Sequence, residues 1–291
     1  MSIFTGSAVA IITPFNNDGS INYEAFKNMV ESQIAAGTDG IVVAGTTGEA
    51  STIDDAEQIK LIKYCVDVVN KRVPVIAGAG SNDTAHAIEL AKEAEKAGSD
   101  ALLIVTPYYN KTTQKGLIKH YTAIAESVNI PIIVYSVAGR TGMNITPATV
   151  KELAKVKNIV AIKEASGDLS QIAKIAESCD IDIYSGNDDQ TLPILSLGGK
   201  GVISVLANVM PKEVHEMCEK FFANDVAGAR EIFLNTLALA NALFIETNPI
   251  PVKTACNLMG MNAGILKAPL YDMESANLEV LKAELKKHNL I

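Results

Sequence analysis

Tryptophan is absent from this chain, aromatic residues make up only 5% of it, and 291 residues contain four cysteines. Cys65, Cys179, Cys218 and Cys256 lie far apart and form none of the paired spacings of a zinc site or a redox dithiol, so they read as reduced packing residues. The histidines His86, His120, His215 and His288 are equally scattered, with no H-x3-H pair or carboxylate cluster, and no metal is expected. No run of five like charges occurs, and 25 Lys+Arg against 33 Asp+Glu leave a net charge of −8, which argues against nucleic acid as a partner. Long apolar runs are missing too. The stretch from Ala8 to Ile12 is too short for a signal sequence or a membrane span and lacks a basic segment before it, so a cytoplasmic protein is expected. A dinucleotide fingerprint is also incomplete: Gly78-Ala79-Gly80-Ser81-Asn82-Asp83 has two glycines and no third, and reads as a turn capping the next helix.

What is present is a chain that is 48% hydrophobic and 20% charged, the composition of one well-packed globular unit. Eight short runs rich in Val and Ile read as strands: Ala8 to Thr13, Gly40 to Ala44, Pro74 to Gly78, Ala101 to Val105, Pro131 to Ser136, Ile159 to Lys163, Asp182 to Ser185 and Gly201 to Val205. They show little alternation, as expected for a parallel sheet covered on both faces. Amphipathic stretches between them include Asn22 to Ala36, Asp54 to Val69, Asp83 to Ala97 and Pro147 to Val156, the last with Thr146 as N-cap and Pro147 at the first helical position. Strand starts recur roughly every 28 residues, the size of a strand, a helix and two short loops. The fold class is therefore α/β, a (β/α)8 TIM barrel with a C-terminal helical extension. The barrel is placed at residues 1–223. Residues 224–291 read as helical (Val226 to Phe244, Pro251 to Met259, Asn277 to Lys287) and are expected either to pad the barrel or to make subunit contacts.

In such a barrel, chemistry belongs at the C-terminal ends of the strands and in the loops beyond them. Strand six ends in Lys163, a lone ammonium after an apolar run, which either pairs with a carboxylate or serves as a nucleophile whose pKa an apolar mouth would lower. After strand two, Gly45-Thr46-Thr47-Gly48-Glu49 offers two hydroxyls between glycines, either to bind a carboxylate or to start a helix. Thr106-Pro107-Tyr108-Tyr109-Asn110 follows strand four. Strand five ends near Tyr135, with Arg140 five residues on as a possible carboxylate fork. Gly198-Gly199-Lys200-Gly201 precedes strand eight, at the opposite face, and reads as a tight turn.

With these segments in hand the chain resembles the pyruvate-dependent class I aldolase and lyase family. The resemblance runs in register through Gly45-Thr46-Thr47-Gly48-Glu49, Thr106-Pro107-Tyr108-Tyr109-Asn110, Arg140-Thr141-Gly142, Ile162-Lys163-Glu164-Ala165, Tyr184-Ser185-Gly186-Asn187-Asp188, Gly201-Val202-Ile203-Ser204-Val205 and Asn248-Pro249-Ile250-Pro251-Val252-Lys253. It implies that Lys163 forms an imine with pyruvate and that the enamine attacks the aldehyde of L-aspartate 4-semialdehyde, a step toward diaminopimelate and lysine. It also implies a proton relay of Thr46, Tyr135 and Tyr109, a pyruvate carboxylate held by Thr46 and Thr47, a second carboxylate held by Arg140, and a pocket lined by the backbone of Ile203. The protonated imine is the electron sink, so no cofactor is expected. In the family the residue at Tyr109 crosses a dimer interface, which implies a homotetramer built as a dimer of tight dimers.

The chain departs from the family in one loop. Where members usually read Tyr-Asn-Val/Ile-Pro-x-Arg-Thr, it has Tyr135-Ser136-Val137-Ala138-Gly139-Arg140-Thr141, which predicts a looser loop and a less preorganised Arg140. Lysine-sensitive members carry a glutamate and histidines where Asp55, Gln58 and His86 stand here, so lysine feedback is not expected. Alternatives are a sister enzyme such as N-acetylneuraminate lyase or a keto-deoxy-sugar-acid aldolase, and a barrel that binds a keto acid without turning it over. Arg140 and the first Thr of the Gly-Thr-Thr-Gly motif favour the condensing enzyme.

Overall fold

The computed structural model describes residues 2–291. Eight parallel strands close on one another in sequence order: β1 (Gly6–Ala10), β2 (Gly40–Val43), β3 (Val75–Gly78), β4 (Ala101–Val105), β5 (Ile132–Ser136), β6 (Ile159–Glu164), β7 (Asp182–Ser185) and β8 (Gly201–Ser204), with β8 pairing back onto β1. The expected barrel is thus the observed one. The first strand starts two residues earlier and ends three earlier than its apolar run suggests, because Gly6 pairs with Gly201 and a Cβ on Gly201 would fall 1.9 Å from the Gly6 carbonyl oxygen. Two glycines let these strand ends meet, and neither looks like a strand residue in sequence.

Helices α1 (Tyr23–Ala35), α2 (Asp55–Val69), α3 (Thr84–Lys96), α4 (Gln114–Glu126), α5 (Ala138–Thr141), α6 (Pro147–Leu153), α7 (Leu169–Ser178), α8 (Thr191–Ser196) and α9 (Pro211–Phe222) fall between and after the strands. Their starts follow side-chain capping: Asp54 accepts from Glu57 N–H, Asp83 from Ala85 N–H, and Thr146 from Thr149 N–H. Asp83 thereby makes the Gly78 to Asp83 segment a helix-start turn, as its sequence suggests. Gly78 and Gly80 serve close packing: Cβ atoms there would lie 2.1 Å from the Ala44 carbonyl oxygen and 2.6 Å from Val105 N.

Alternation along each strand separates two cores. Ala8, Ala10, Val42, Leu103, Ile133, Tyr135, Ala161, Tyr184 and Ile203 fill the barrel, whereas Ile132, Val134 and Ile162 pack outward against the helices. The floor is closed by Phe4 and Tyr184, whose rings stack with centroids 4.2 Å apart while the Tyr184 hydroxyl donates to the Phe4 carbonyl at 2.7 Å.

Beyond α9 come α10 (Val226–Ala242), α11 (Ile250–Leu258) and α12 (Ser275–Lys287). Leu239, Leu243, Val252, Cys256, Leu281 and Leu285 belong to the same buried cluster as the barrel's outer layer. Among the described residues no helix is long and apolar enough to cross a membrane.

Candidate active site

The turn after β2 is bracketed by two non-glycine residues in the left-handed region, Ala44 (φ 54°) and Glu49 (φ 56°). Such residues persist only where surrounding contacts outweigh their cost. Here the contacts are visible. Thr13 donates its hydroxyl to the Gly48 carbonyl at 2.7 Å, and the buried Glu49 carboxylate accepts from Lys253 Nζ at 2.6 Å and from Lys267 N–H at 2.9 Å. Lys253 and Glu49 are each 1% exposed at the side chain, and the ammonium also lies 4.2 Å from the Phe15 ring centroid. Thr46 is thereby held at the exposed rim, while Thr47 is buried and its Oγ1 accepts from Asn248 Nδ2 at 2.9 Å.

Lys163 is the penultimate residue of β6, and strand alternation turns it inward with Ala161 while Glu164 faces α7. It is 5% exposed and is the register partner of Tyr135 on β5, whose ring centroid is 4.3 Å from Nζ. Burial lowers the Lys163 pKa to about 8; the buried Asp188 carboxylate works against that shift and the Arg140 charge assists it. Burial pushes the Tyr135 phenol up to about 12, against the opposing pull of Arg140 and of a hydrogen bond with Thr46. Clearance beside the amine comes from Gly186, where a Cβ would lie 3.1 Å from Lys163 Cε. The bland expectation for Lys163, an ion pair at the rim, is not what the structure holds: no carboxylate lies within salt-bridge distance of it among the described residues.

The segment after β5 winds into the single turn α5, and Arg140 donates from Nη2 to the Asn248 carbonyl at 2.5 Å. The loop that departs from the family pattern thus forms a helical turn, with its arginine seated on the C-terminal region. Thr46, Tyr135 and Arg140 line one cavity of about 380 Å³, which also reaches Tyr108, Asp55, Gln58 and His86. Ile203 belongs to the barrel-interior cluster that contains Tyr135. Tyr109 is not brought in: it is 93% exposed, with φ 65°. His86 is spoken for on both ring nitrogens, by Asp55 Oδ2 at 2.8 Å and Ser81 Oγ at 3.1 Å, and Gln58 donates to the Gly78 carbonyl.

Three residues around this site carry no role in the sequence reading. Asp188 is buried, which raises its pKa, and it accepts from the Ser204 hydroxyl and from the N–H groups of Val205 and Leu206, both at 3.0 Å, which fixes the end of β8 and places a carboxyl group near Lys163. Glu164 is buried and its pKa is raised to about 7 by burial, offset in part by hydrogen bonds from Ser166, Gln171 and Ser136. Asn248 joins Thr47 to Arg140. The motifs that contain them are visible in sequence, but nothing local signals which side chain turns inward.

A parallel barrel with an unpaired, desolvated lysine at the mouth, beside a tyrosine and an arginine, defines a lyase of the class I aldolase kind. A sequence model described as the dihydrodipicolinate synthetase family matches residues 3–288, and the chain belongs to that family. It is 58% identical to a 4-hydroxy-tetrahydrodipicolinate synthase of Clostridium perfringens, over 99% of this chain and 100% of that one. It is 56% identical to the protein of that name from Acetivibrio thermocellus, over 99% of each chain. Among solved structures, a dihydrodipicolinate synthase from Thermotoga maritima superposes with a TM-score of 0.97 at 42% identity, covering 100% of both chains. A chloride-inhibited dihydrodipicolinate synthase from Acinetobacter baumannii, complexed with pyruvate, superposes with a TM-score of 0.96 at 43% identity and covers 99% of both.

Proposed function

We propose that this chain condenses pyruvate with L-aspartate 4-semialdehyde to 4-hydroxy-tetrahydrodipicolinate, in diaminopimelate and lysine biosynthesis, through an imine on Lys163. The observation that carries this reading is the Lys163 amine itself: buried, without a carboxylate partner, and held at a pKa of about 8. At pH 7 about one molecule in ten then presents a neutral amine, against about one in a few thousand for an ordinary lysine. The Lys163 nitrogen attacks the pyruvate carbonyl carbon, and loss of water leaves a protonated imine. That cation acidifies the neighbouring methyl group, so removal of a methyl proton gives an enamine whose carbon attacks the aldehyde.

The proton movements belong to groups already placed. Tyr135 packs its ring against the amine and is kept protonated by burial, so it donates as water leaves and recovers the proton later. Thr46 hydrogen-bonds with it at the rim. Thr47 and Thr46 take the pyruvate carboxylate, the Ile203 backbone lines the inner wall, and Arg140 at the cavity edge takes the carboxylate of the second substrate. Tyr109 completes the relay of Thr46 and Tyr135 from a neighbouring copy. A tyrosine that is 93% exposed and held at positive φ fits a residue presented outward, and a homotetramer built as a dimer of tight dimers follows. Apolar Val226 and Leu234 stand exposed on α10, which supports a role for residues 224–291 in that assembly. The same reading places the enzyme in the cytoplasm, with pyruvate and the semialdehyde as its small-molecule partners.

Borohydride reduction in the presence of pyruvate, followed by intact mass and peptide mapping, tests this. One adduct on the peptide containing Lys163 is expected. No adduct would remove every imine-based reading, and an adduct without turnover of L-aspartate 4-semialdehyde would move the function to another keto-acid lyase.

A further inference from the structure

The segment Asn248-Pro249-Ile250-Pro251-Val252-Lys253 lies about 110 or more residues from every strand that supplies the mouth except β6, β7 and β8, yet it reaches two rim loops at once. Its lysine holds Glu49 and the Asn248 carbonyl holds Arg140. The Asn248 side chain, 5% exposed, donates from Nδ2 to Thr47 Oγ1 at 2.9 Å. A threonine hydroxyl has one proton to give. With an acceptor position of Thr47 Oγ1 occupied by the Asn248 N–H, that proton is directed elsewhere, and Thr47 donates it to no other group among the hydrogen bonds of the described residues. The hydroxyl is thereby presented as a donor, which a carboxylate requires.

We propose that Asn248 is a positioning residue that sets the polarity of the Thr47 hydroxyl, so that Thr47 donates to the pyruvate carboxylate. The inference rests on the pyruvate reading of the site. It assigns the pyruvate end of the pocket to the Asn248 side chain and the aldehyde end to its backbone carbonyl, through Arg140. Side-chain substitutions at 248 therefore act on one substrate more than on the other. Asn248→Leu fills the volume without a donor, and Asn248→Ala removes the group outright.

The test is a double-mutant cycle read by borohydride trapping on the full-length protein. The pyruvate concentration giving half-maximal adduct is measured for wild type, Asn248→Leu, Asn248→Ala, Thr47→Val and the pairs with Thr47→Val. Each single variant is expected to need roughly three- to tenfold more pyruvate, the weight of one hydrogen bond. The pairs are expected to be no worse than Thr47→Val alone, because Asn248 acts through Thr47. In steady state the KM for the aldehyde stays within about twofold of wild type. Thermal unfolding of each variant identifies any that fails to fold, and the remaining Asn248 substitution then carries the cycle. Additive effects, or an unchanged or lowered pyruvate requirement in both Asn248 variants, overturn the proposal while leaving the Lys163 chemistry intact. A wild type with no adduct overturns the pyruvate reading and this inference with it.

Discussion

Lys163 and Tyr135 are register partners on adjacent strands, and the lysine nitrogen lies 4.3 Å from the centroid of the tyrosine ring. The ring helps exclude water from the amine, and the amine in turn sits beside a phenol that burial keeps protonated. The lowered pKa of the amine and the raised pKa of the phenol thus come from one piece of apolar packing rather than from two separate devices.

The rate of imine formation should follow the neutral fraction of Lys163. With its pKa lowered to about 8, the rate rises nearly tenfold per pH unit from pH 6 to 7, bends near 8 and levels above it. Trapping rates with subsaturating pyruvate across pH 6 to 9.5 measure this. A rise that continues unbent through pH 9.5 would mean an amine that the barrel does not desolvate.

Glu164→Gln should stabilise the protein at pH 8 and leave it unchanged near pH 4. The folded carboxyl has its pKa raised from 4.5 to about 7, so between those values the unfolded chain releases a proton that the folded chain keeps. Stability is therefore lost as pH rises through that window, and the loss is complete above about 7. Its scale is on the order of 3 kcal/mol. Urea unfolding of both proteins at pH 4, 6 and 8 shows it, with a difference that grows with pH.

Lys253→Met should destabilise the fold by about 3–5 kcal/mol, because Glu49 would keep a buried charge without its ammonium. Adding Glu49→Gln should recover a large share of that loss, since no charge then remains buried at the pair. Denaturant midpoints of the single and double variants compare the two. A double variant as unstable as Lys253→Met alone would show that packing against Phe15 dominates instead.

Ala138→Pro should lower the KM for the aldehyde by roughly two- to fivefold while leaving that for pyruvate alone. Ala138 is the first residue of α5, where a missing N–H costs little, and the fixed backbone would restrict the turn that carries Arg140. An unchanged aldehyde KM would mean that the seat of Arg140 on Asn248 already fixes the guanidinium.

The strands were legible because each is an apolar run bounded by turn residues, and the helices because Asp54, Asp83 and Thr146 announce their starts. The limits of β1 were not, since Gly6 belongs to a strand only by virtue of Gly201 across the seam. Lys163 and Tyr135 could be picked out as polar endings of apolar strands. Asn248 could not, because its bond to Thr47 spans 201 residues and no local pattern encodes it. Asp188 looks like one acid among several in Gly186-Asn187-Asp188-Asp189, and only the fold around Ser204 separates it from Asp189.

The stack of Phe4 on Tyr184 has a kinetic meaning as well as a structural one. A barrel sealed at its base has a single door. On the proposed mechanism, pyruvate bound to Lys163 would pass Thr46 and Arg140 on the way in, and the water expelled by imine formation would leave by the same path. A second substrate held at the rim by Arg140, as proposed, would block that passage if it arrived first. If those assignments hold, the closed base imposes an order of arrival on the two substrates without any moving part.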